Sequence, residues 1–495
     1  MKRNVSCCLS VLIGLIIVLT GCSDKKEYTN AVPADTQVLA RFDLVAIAQK
    51  SGLNDKENQA TKSKLMDALK EGMGAAAYKQ MEKIIADPAE SGLTLNQPVY
   101  LFSSRGLPYP TLLIKVDNEE KVTATLEAMA SEQLCKKPVE EGDYYFTTMT
   151  DGSVCMYNEG TFMLVSGTAN AASKEVQTTV AKLFDQDAEK SGVKNKGFIK
   201  MEQQKGDITF FASMRDLPEA YTKQIAFGLS DDVDLREVFV LGALRFENGK
   251  ISINYETYSE NKELNAQLDK QQKAFGKLKS SLTGLFPAST VAYISMNIKG
   301  KDLYGILSEN REFQNAFIGA ERKEVKNFIT HVNGEVAVAI TDFSMFGIPG
   351  FIAYAEIDND EAVSALKKYA MTSFIPMYAG KSGNLAYLTN NRALVASVGK
   401  TVEKSLTGAP FASNIAGNSF YFALNAENIL NLSAINELSS YGEEFGMYRN
   451  IASQISFLEV KGYDNGKGEA ALVLKDPKTN ALKQMVNFAK QFTGL

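Results

Sequence analysis

The heptapeptide VDNEEKV at residues 116–122 returns, little changed, as IDNDEAV at 357–363. Each copy reads as an apolar residue, Asp-Asn, two acids, a variable residue and Val. Each follows an apolar run, Leu112-Leu113-Ile114 in one and Phe351-Ile352-Ala353-Tyr354 in the other. Each also precedes helical spacing: Val122, Leu126 and Met129 at i, i+4, i+7, and Val363, Leu366 and Ala370 at i, i+3, i+7. Three more pairs occur in the same order. VPADTQVLARFDL (32–44) matches FPASTVAYISMNI (286–298), ITFFAS (208–213) matches SFYFAL (419–424), and RFENGKISI (245–253) matches GYDNGKGEA (462–470), the last pair each with Asn-Gly at a hairpin turn. A chain with four such pairs in order is constrained to be one unit built twice. The expected division is residues 31–280 and 281–495.

Short strands joined by tight turns, with helices between some of them, predict an α+β fold. Each unit is expected to be a mainly antiparallel sheet with helices packed on one face. In the first unit the patterns place strands at Val38–Leu44, Pro98–Ser103 and Thr111–Val116, a meander over 143–166, and a strand at Ile208–Ala212. A long helix carries Leu65, Leu69, Met73, Met81, Ile84 and Ile85 as its stripe, and another helix runs near 173–185. Residues 261–283 read as a connecting helix.

The acidic junctions raise the question of metal. Asp117 and Glu120, like Asp358 and Glu361, stand three apart where strand gives way to helix. That is the spacing of a capping box, with the Asp as cap and the Glu reaching back. A calcium loop needs acids at alternating positions and Gly at the sixth, but from Asp358 the fifth is Ala362 and the sixth Val363. The run Asp231-Asp232-Val233-Asp234 reads as a solvated loop. His331 is the chain's single His, too few for an imidazole zinc site. VGKT at 398–401 lacks the Gly that a phosphate loop needs at 394, where Leu stands, and reads as a strand end leading into a helix near Val402. No catalytic residue, metal, nucleotide or other cofactor is expected.

The N-terminus gives an address. Lys2 and Arg3 precede an apolar run from Leu9 to Leu19, too short to span a membrane and suited to a secretory signal. It ends in Leu19-Thr20-Gly21-Cys22, which resembles a bacterial lipobox. The resemblance implies a signal peptide over 1–21, cleavage before Cys22, a lipid on its sulfur and a second acyl attachment at the new N-terminus. Residues 22–30 then form a lipid-anchored tether, and the membrane becomes a partner through several acyl chains. Cleavage removes two positive charges and takes the net charge from −5 to −7. With acids and bases interspersed and no basic block, nucleic acid is not an expected partner. Cys135 and Cys155 remain in an oxidising compartment, where a disulfide between them is one alternative and two separate thiols the other.

Three aromatic runs fall on predicted strands. Tyr144-Tyr145-Phe146 and Phe420-Tyr421-Phe422, with Phe210-Phe211, put alternate rings on opposite sheet faces. Tyr144, Tyr145, Phe146, Phe420, Tyr421 and Phe422 therefore form a candidate binding surface, unless both faces are core. The absence of Trp weakens a sugar-platform reading.

Lipobox, short polar tether, Val-Pro-Ala-Asp-Thr before an apolar strand, and a duplicated unit over the rest together resemble a family of large Bacteroidetes lipoproteins known only as a domain of unknown function. The resemblance implies a cell-envelope lipoprotein and supplies no catalytic residues; Ser23 rather than Asp after Cys22 favours the outer membrane, with the periplasmic or surface-facing leaflet left open. The leading expectation is a non-enzymatic scaffold that binds an envelope protein partner or an apolar ligand. The alternatives are a glycan hydrolase with paired carboxylates in an inter-unit cleft, and a structural envelope spacer.

Overall fold

A computed structural model describes residues 27–167, 173–214, 238–343, 347–433, 435 and 443–493. The signal segment, Cys22 and Asp231–Asp234 lie outside the described residues. The chain forms two compact units. One comprises 1–213, 239–248 and 479–495, and the other 214–238 and 249–478.

In the first unit, β1 (Thr36–Phe42) runs into helix α1 (Leu44–Ser51), followed by α2 (Gln59–Gly72) and α3 (Ala75–Ala86). The expected single long helix is thus two, broken where Met73 and Gly74 adopt extended backbone. Met81, Ile84 and Ile85 are buried as its stripe requires. Strands β2 (Val99–Ser104) and β3 (Thr111–Lys115) lead to α4 (Glu119–Ser131). The meander is β4 (Val139–Glu141), β5 (Tyr144–Thr148), β6 (Val154–Tyr157) and β7 (Thr161–Val165). Helices α5 (Ser173–Phe184) and α6 (Lys196–Gln203) precede β8 (Ile208–Ser213) and β9 (Val238–Glu247). Among the described residues these strands pair, all antiparallel, in the order β4-β5-β6-β7-β3-β2-β1-β8-β9.

Helices cover more than the one expected face. All four residues of β6 are at most 1% exposed. Successive residues of a strand face opposite ways, so both faces are packed there. Cys155 and Tyr157 meet Val122 and Leu126 of α4, while α5, with Val176 and Val180 buried, lies along β6 and β7. The C-terminal helix Ala481–Thr493 belongs to this unit: Asn480 Nδ2 donates to the Phe246 carbonyl at 2.9 Å and Lys483 pairs with Asp55 at 2.7 Å.

The second unit contains β10 (Lys250–Ser259), α7 (Lys262–Lys273), β11 (Phe275–Gly276) and β12 (Ala292–Lys299). Then come α8 (Gly300–Leu307), α9 (Arg311–Ala316), α10 (Ala320–His331), β13 (Val332–Phe343) and β14 (Pro349–Ile357). Helix α11 (Glu361–Thr372) leads to β15 (Tyr378–Ser382) and β16 (Leu385–Thr389). The rest is β17 (Phe420–Asn425), α12 (Ala426–Leu430), α13 (Glu443–Ser453), β18 (Ile455–Gly462) and β19 (Lys467–Leu474). The strand order is β15-β16-β14-β13-β12-β17-β18-β19-β10, again all antiparallel, with β11 beside one end of β12. The cut expected at residue 280 falls inside this unit, because β10 pairs along most of its length with β19. Asn465 and Gly466 both take positive φ, 62° and 65°, as a tight hairpin between β18 and β19 demands. No helix starts at Val402, whose N–H goes to the Gly284 carbonyl, and the expected strand before it is a 3-10 turn over Arg392–Ser397.

Candidate functional site

The acidic junctions close helices, though not through the acids expected. At α4 the cap is Asn118, whose Oδ1 accepts from the Lys121 N–H at 2.9 Å. Its backbone is held by Gly92, whose carbonyl accepts from both Asp117 and Asn118. Gly92 takes φ 78°, and a Cβ there would overlap the Asn118 carbonyl. At α11 the Asn359 side chain accepts from the Glu361 N–H at 2.9 Å. Asp358 is bonded to His331 Nδ1 at 2.9 Å, and Asp360 pairs with Lys381 at 2.6 Å. The Asp–Glu capping box does not form: the Asn carries the bond at both sites because its short side chain reaches back to the first turn. Among the described residues no group of His, Cys, Asp and Glu could hold a metal.

The same Glu119 that opens α4 lines a cavity of about 590 Å³ in the first unit. Its walls are the segment Glu27–Ala31, the start of α4, β4 with the turn into β5, the turn between β6 and β7, and the end of α5. Five carboxylates line it: Glu27, Glu119, Glu140, Asp143 and Glu159. Among the described lining residues none is Lys or Arg. Tyr28, Tyr145 and Phe184 supply the rings. The walls are firmly built. Asn158 Oδ1 accepts from the Gly160 and Thr161 N–H groups at 3.1 and 2.9 Å, which fixes one turn. Tyr145 stacks on its cross-strand partner Tyr157 at 5.2 Å with ring planes 11° apart. The Tyr157 hydroxyl meets Thr123 Oγ1 of α4 at 2.7 Å. Tyr28 is buried and donates to the Pro98 carbonyl at 2.6 Å. Desolvation, and then Glu140 and Glu119, push the Tyr145 hydroxyl above its usual range. It stays a neutral hydrogen-bonding group beside the acids.

Of the aromatic residues singled out by sequence, the structure places only Tyr145 at this cavity. Tyr144 and Phe146 are half-buried on β5. Phe420 and Phe422 are half-buried on β17, in the other unit. Tyr421 is fully buried in that unit's core and donates to Glu459 at 2.8 Å, so it is not part of a binding surface. Cys135 and Cys155 are free thiols, both buried, and Cys135 donates to the Leu126 carbonyl at 3.4 Å. Burial is the main cause that raises both thiols above their ordinary range. The acids of the cavity were missed because Glu27, Glu119, Glu140, Asp143 and Glu159 are scattered over more than 130 residues and meet only through the meander. The only local signal was the high acid content of EEGD at 140–143.

Among known proteins, a family model described as "Domain of unknown function (DUF4836)" matches residues 28–482. No curated protein matches the sequence. Two crystal forms of TP0453 are similar in part. Form I has a TM-score of 0.28 and 9% identity, and covers 48% of this chain and 80% of its own. Form IV has 0.23 and 10%, and covers 46% and 79%. Among the described residues no helix is long and apolar enough to cross a membrane.

Proposed function

The chain belongs to the DUF4836 family, and from that premise we propose that it is a cell-envelope lipoprotein, anchored through Cys22, whose first unit binds cationic groups without chemical turnover. The observation that carries this is the cavity with five carboxylates, three rings and no cationic side chain among its described lining residues. Field lines from one sign of charge concentrate in a concavity and raise the local concentration of counter-charge. Rings beside those acids add cation–π attraction of roughly 0.5–2 kcal/mol per contact. Its volume suits a small organic cation or a Lys or Arg side chain presented by an envelope protein. Tyr28 begins six residues after Cys22, so a lipid there holds this wall within about 20 Å of the bilayer.

The duplication belongs to the same proposal. It is supported by the central strand order β3-β2-β1-β8-β9 in one unit and β14-β13-β12-β17-β18 in the other. A helix follows β3 and β14 alike. The cavity lies on the four-stranded meander for which the second unit has only β15 and β16, so binding was added to one copy.

The test is titration of the full-length protein with arginine amide and with a short Lys/Arg peptide, against an acidic peptide of equal length. Saturable binding of the cationic probes, weakened by salt and abolished by Glu140→Gln with Asp143→Asn, is expected. Equal response to the acidic peptide refutes the reading. Carboxylates around a cavity of this size also favour a glycan hydrolase as the second reading. Release of sugar from envelope glycan, lost in the same variant, decides for it. No response to any probe leaves the structural spacer.

A further inference from the structure

We propose that one end of the α10–α11 pair in the second unit is a contact site for the surface of an anionic lipid bilayer. This goes beyond the cavity and does not depend on it or on the lipid at Cys22. Helices α10 and α11 run antiparallel: His331 at the end of α10 meets Asp358 just before α11, while Glu324 near the start of α10 pairs with Lys368 near the end of α11 at 2.6 Å. The start of α10 and the end of α11 therefore share one tip. Four large apolar residues stand out from it. Ile318 is 73% exposed, Tyr369 58%, Met371 85% and Phe374 fully exposed. The other exposed large apolar residues described in this unit fall in two pairs, Phe343 with Ile348 about the β13–β14 turn and Tyr448 with Ile451 on α13, whereas the helix pairing gathers these four at one tip. The tip is not a frayed end, because Arg322 Nε donates to the Phe317 carbonyl at 2.9 Å and braces the loop that carries Ile318.

Charge indicates the occupant. The segments 318–326 and 366–377 contain Arg322, Lys323, Lys326, Lys367 and Lys368 against only two acids, Glu321 and Glu324. The tip is positive on a chain whose net charge is −5. Protruding aromatic and aliphatic side chains on segments with an excess of Lys and Arg match the interfacial zone of a bilayer, where rings sit at headgroup depth and cations meet anionic lipid. Each Lys or Arg near such a surface adds attraction that decays within a Debye length. A partner groove in a protein would bury the apolar residues equally well, but it would not by itself call for the excess of cations.

The chain has no Trp, so Phe374→Trp places a single reporter on the tip. In full-length protein, with vesicles of phosphatidylglycerol and phosphatidylcholine, its emission is expected to shift to the blue. Lipids brominated in the acyl chain are expected to quench it several-fold more than Tyr448→Trp, an exposed site on α13. Pure phosphatidylcholine, or ~1 M salt, where the screening length is about 3 Å, should abolish most of the effect. Adding Met371→Asp should reverse it, with the fold unperturbed because both residues are exposed. Because each reporter senses its own surroundings, tethering through Cys22 alone leaves both positions unquenched. No shift at position 374 with anionic vesicles, or equal quenching at 448, overturns the proposal. A shift that follows protein concentration without lipid also overturns it and assigns the tip to a second copy of the chain.

Discussion

The two units each hold a partly desolvated acid and treat it in opposite ways. In the first, Glu202 has one guanidinium, Arg41 Nε at 3.4 Å, and the Tyr100 hydroxyl at 3.0 Å. Although its side chain is 31% exposed, desolvation outweighs both, and its carboxyl rises above the usual range. In the second, Glu469 sits between Lys250 at 2.7 Å and Lys461 at 3.4 Å. Burial opposes ionisation there too, but the two ammonium groups overcome it and hold the carboxyl below the usual range. Lys461 also pairs at 2.7 Å with Glu459, which is 1% exposed and accepts from Tyr421 and Asn414. The lesson is that the number of close cations, more than burial, fixes whether a carboxylate supports the fold or strains it.

Lys461→Met breaks the contrast most. It leaves Glu459 buried without its cation and is expected to cost about 3–5 kcal/mol in urea unfolding; a loss below about 1 kcal/mol would show that Tyr421 and Asn414 suffice. Lys250→Met removes one of the two cations on Glu469 and should cost about 2 kcal/mol near neutral pH. The sign of the pH dependence follows from the depressed carboxyl: its stabilisation is present above the ordinary carboxylate range and is lost as pH falls through the folded-state value. Unfolding curves of the Lys250→Met protein should therefore lose stability less steeply on acidification than the parent. A parallel slope would remove Glu469 from the account.

The junctions sharpen the comparison at smaller scale. Asn118→Ala removes the cap of α4 and should cost about 1 kcal/mol, whereas Asn359→Ala should cost less, since His331 and Lys381 also tie down its neighbours. Equal thermal shifts would mean that those side pairs contribute nothing. Glu202→Gln should be the mildest, within about 0.5 kcal/mol at neutral pH. Its carboxyl is raised, so its favourable contribution is present in acid and fades as pH rises through the elevated value, the reverse of Glu469. The variant should be favoured relative to the parent as pH increases, and a stability difference that does not change with pH would contradict the shift.

Much of this fold was legible in the sequence. The strands at 38–44, 98–103, 111–116 and 208–212, and the helix near 173–185, stand within a few residues of where alternation and helical spacing put them. Local patterns sufficed there because each segment buries its own stripe. The break at Met73-Gly74 was missed because the apolar stripe continues across it. The return of 481–493 to the first unit was missed for a different reason: it depends on Asn480 and Lys483 meeting Phe246 and Asp55, some 230 and 430 residues away. The junction heptapeptides located both helix starts, but Asn and Asp offer nearly the same acceptor to a backbone N–H, and composition alone did not say which would turn inward. The cavity was the least legible part, since its acids belong to a strand, two turns, a helix start and the segment at Glu27.

That last helix has a consequence for biogenesis. The first unit is not complete until residues 479–495 have been made, so its amino-terminal portion must wait through the synthesis of everything between. A chain cut short before Asn480 would leave the edge around α1 and Asp55 uncovered, and proteases would meet an unfinished first unit even where the second had folded well.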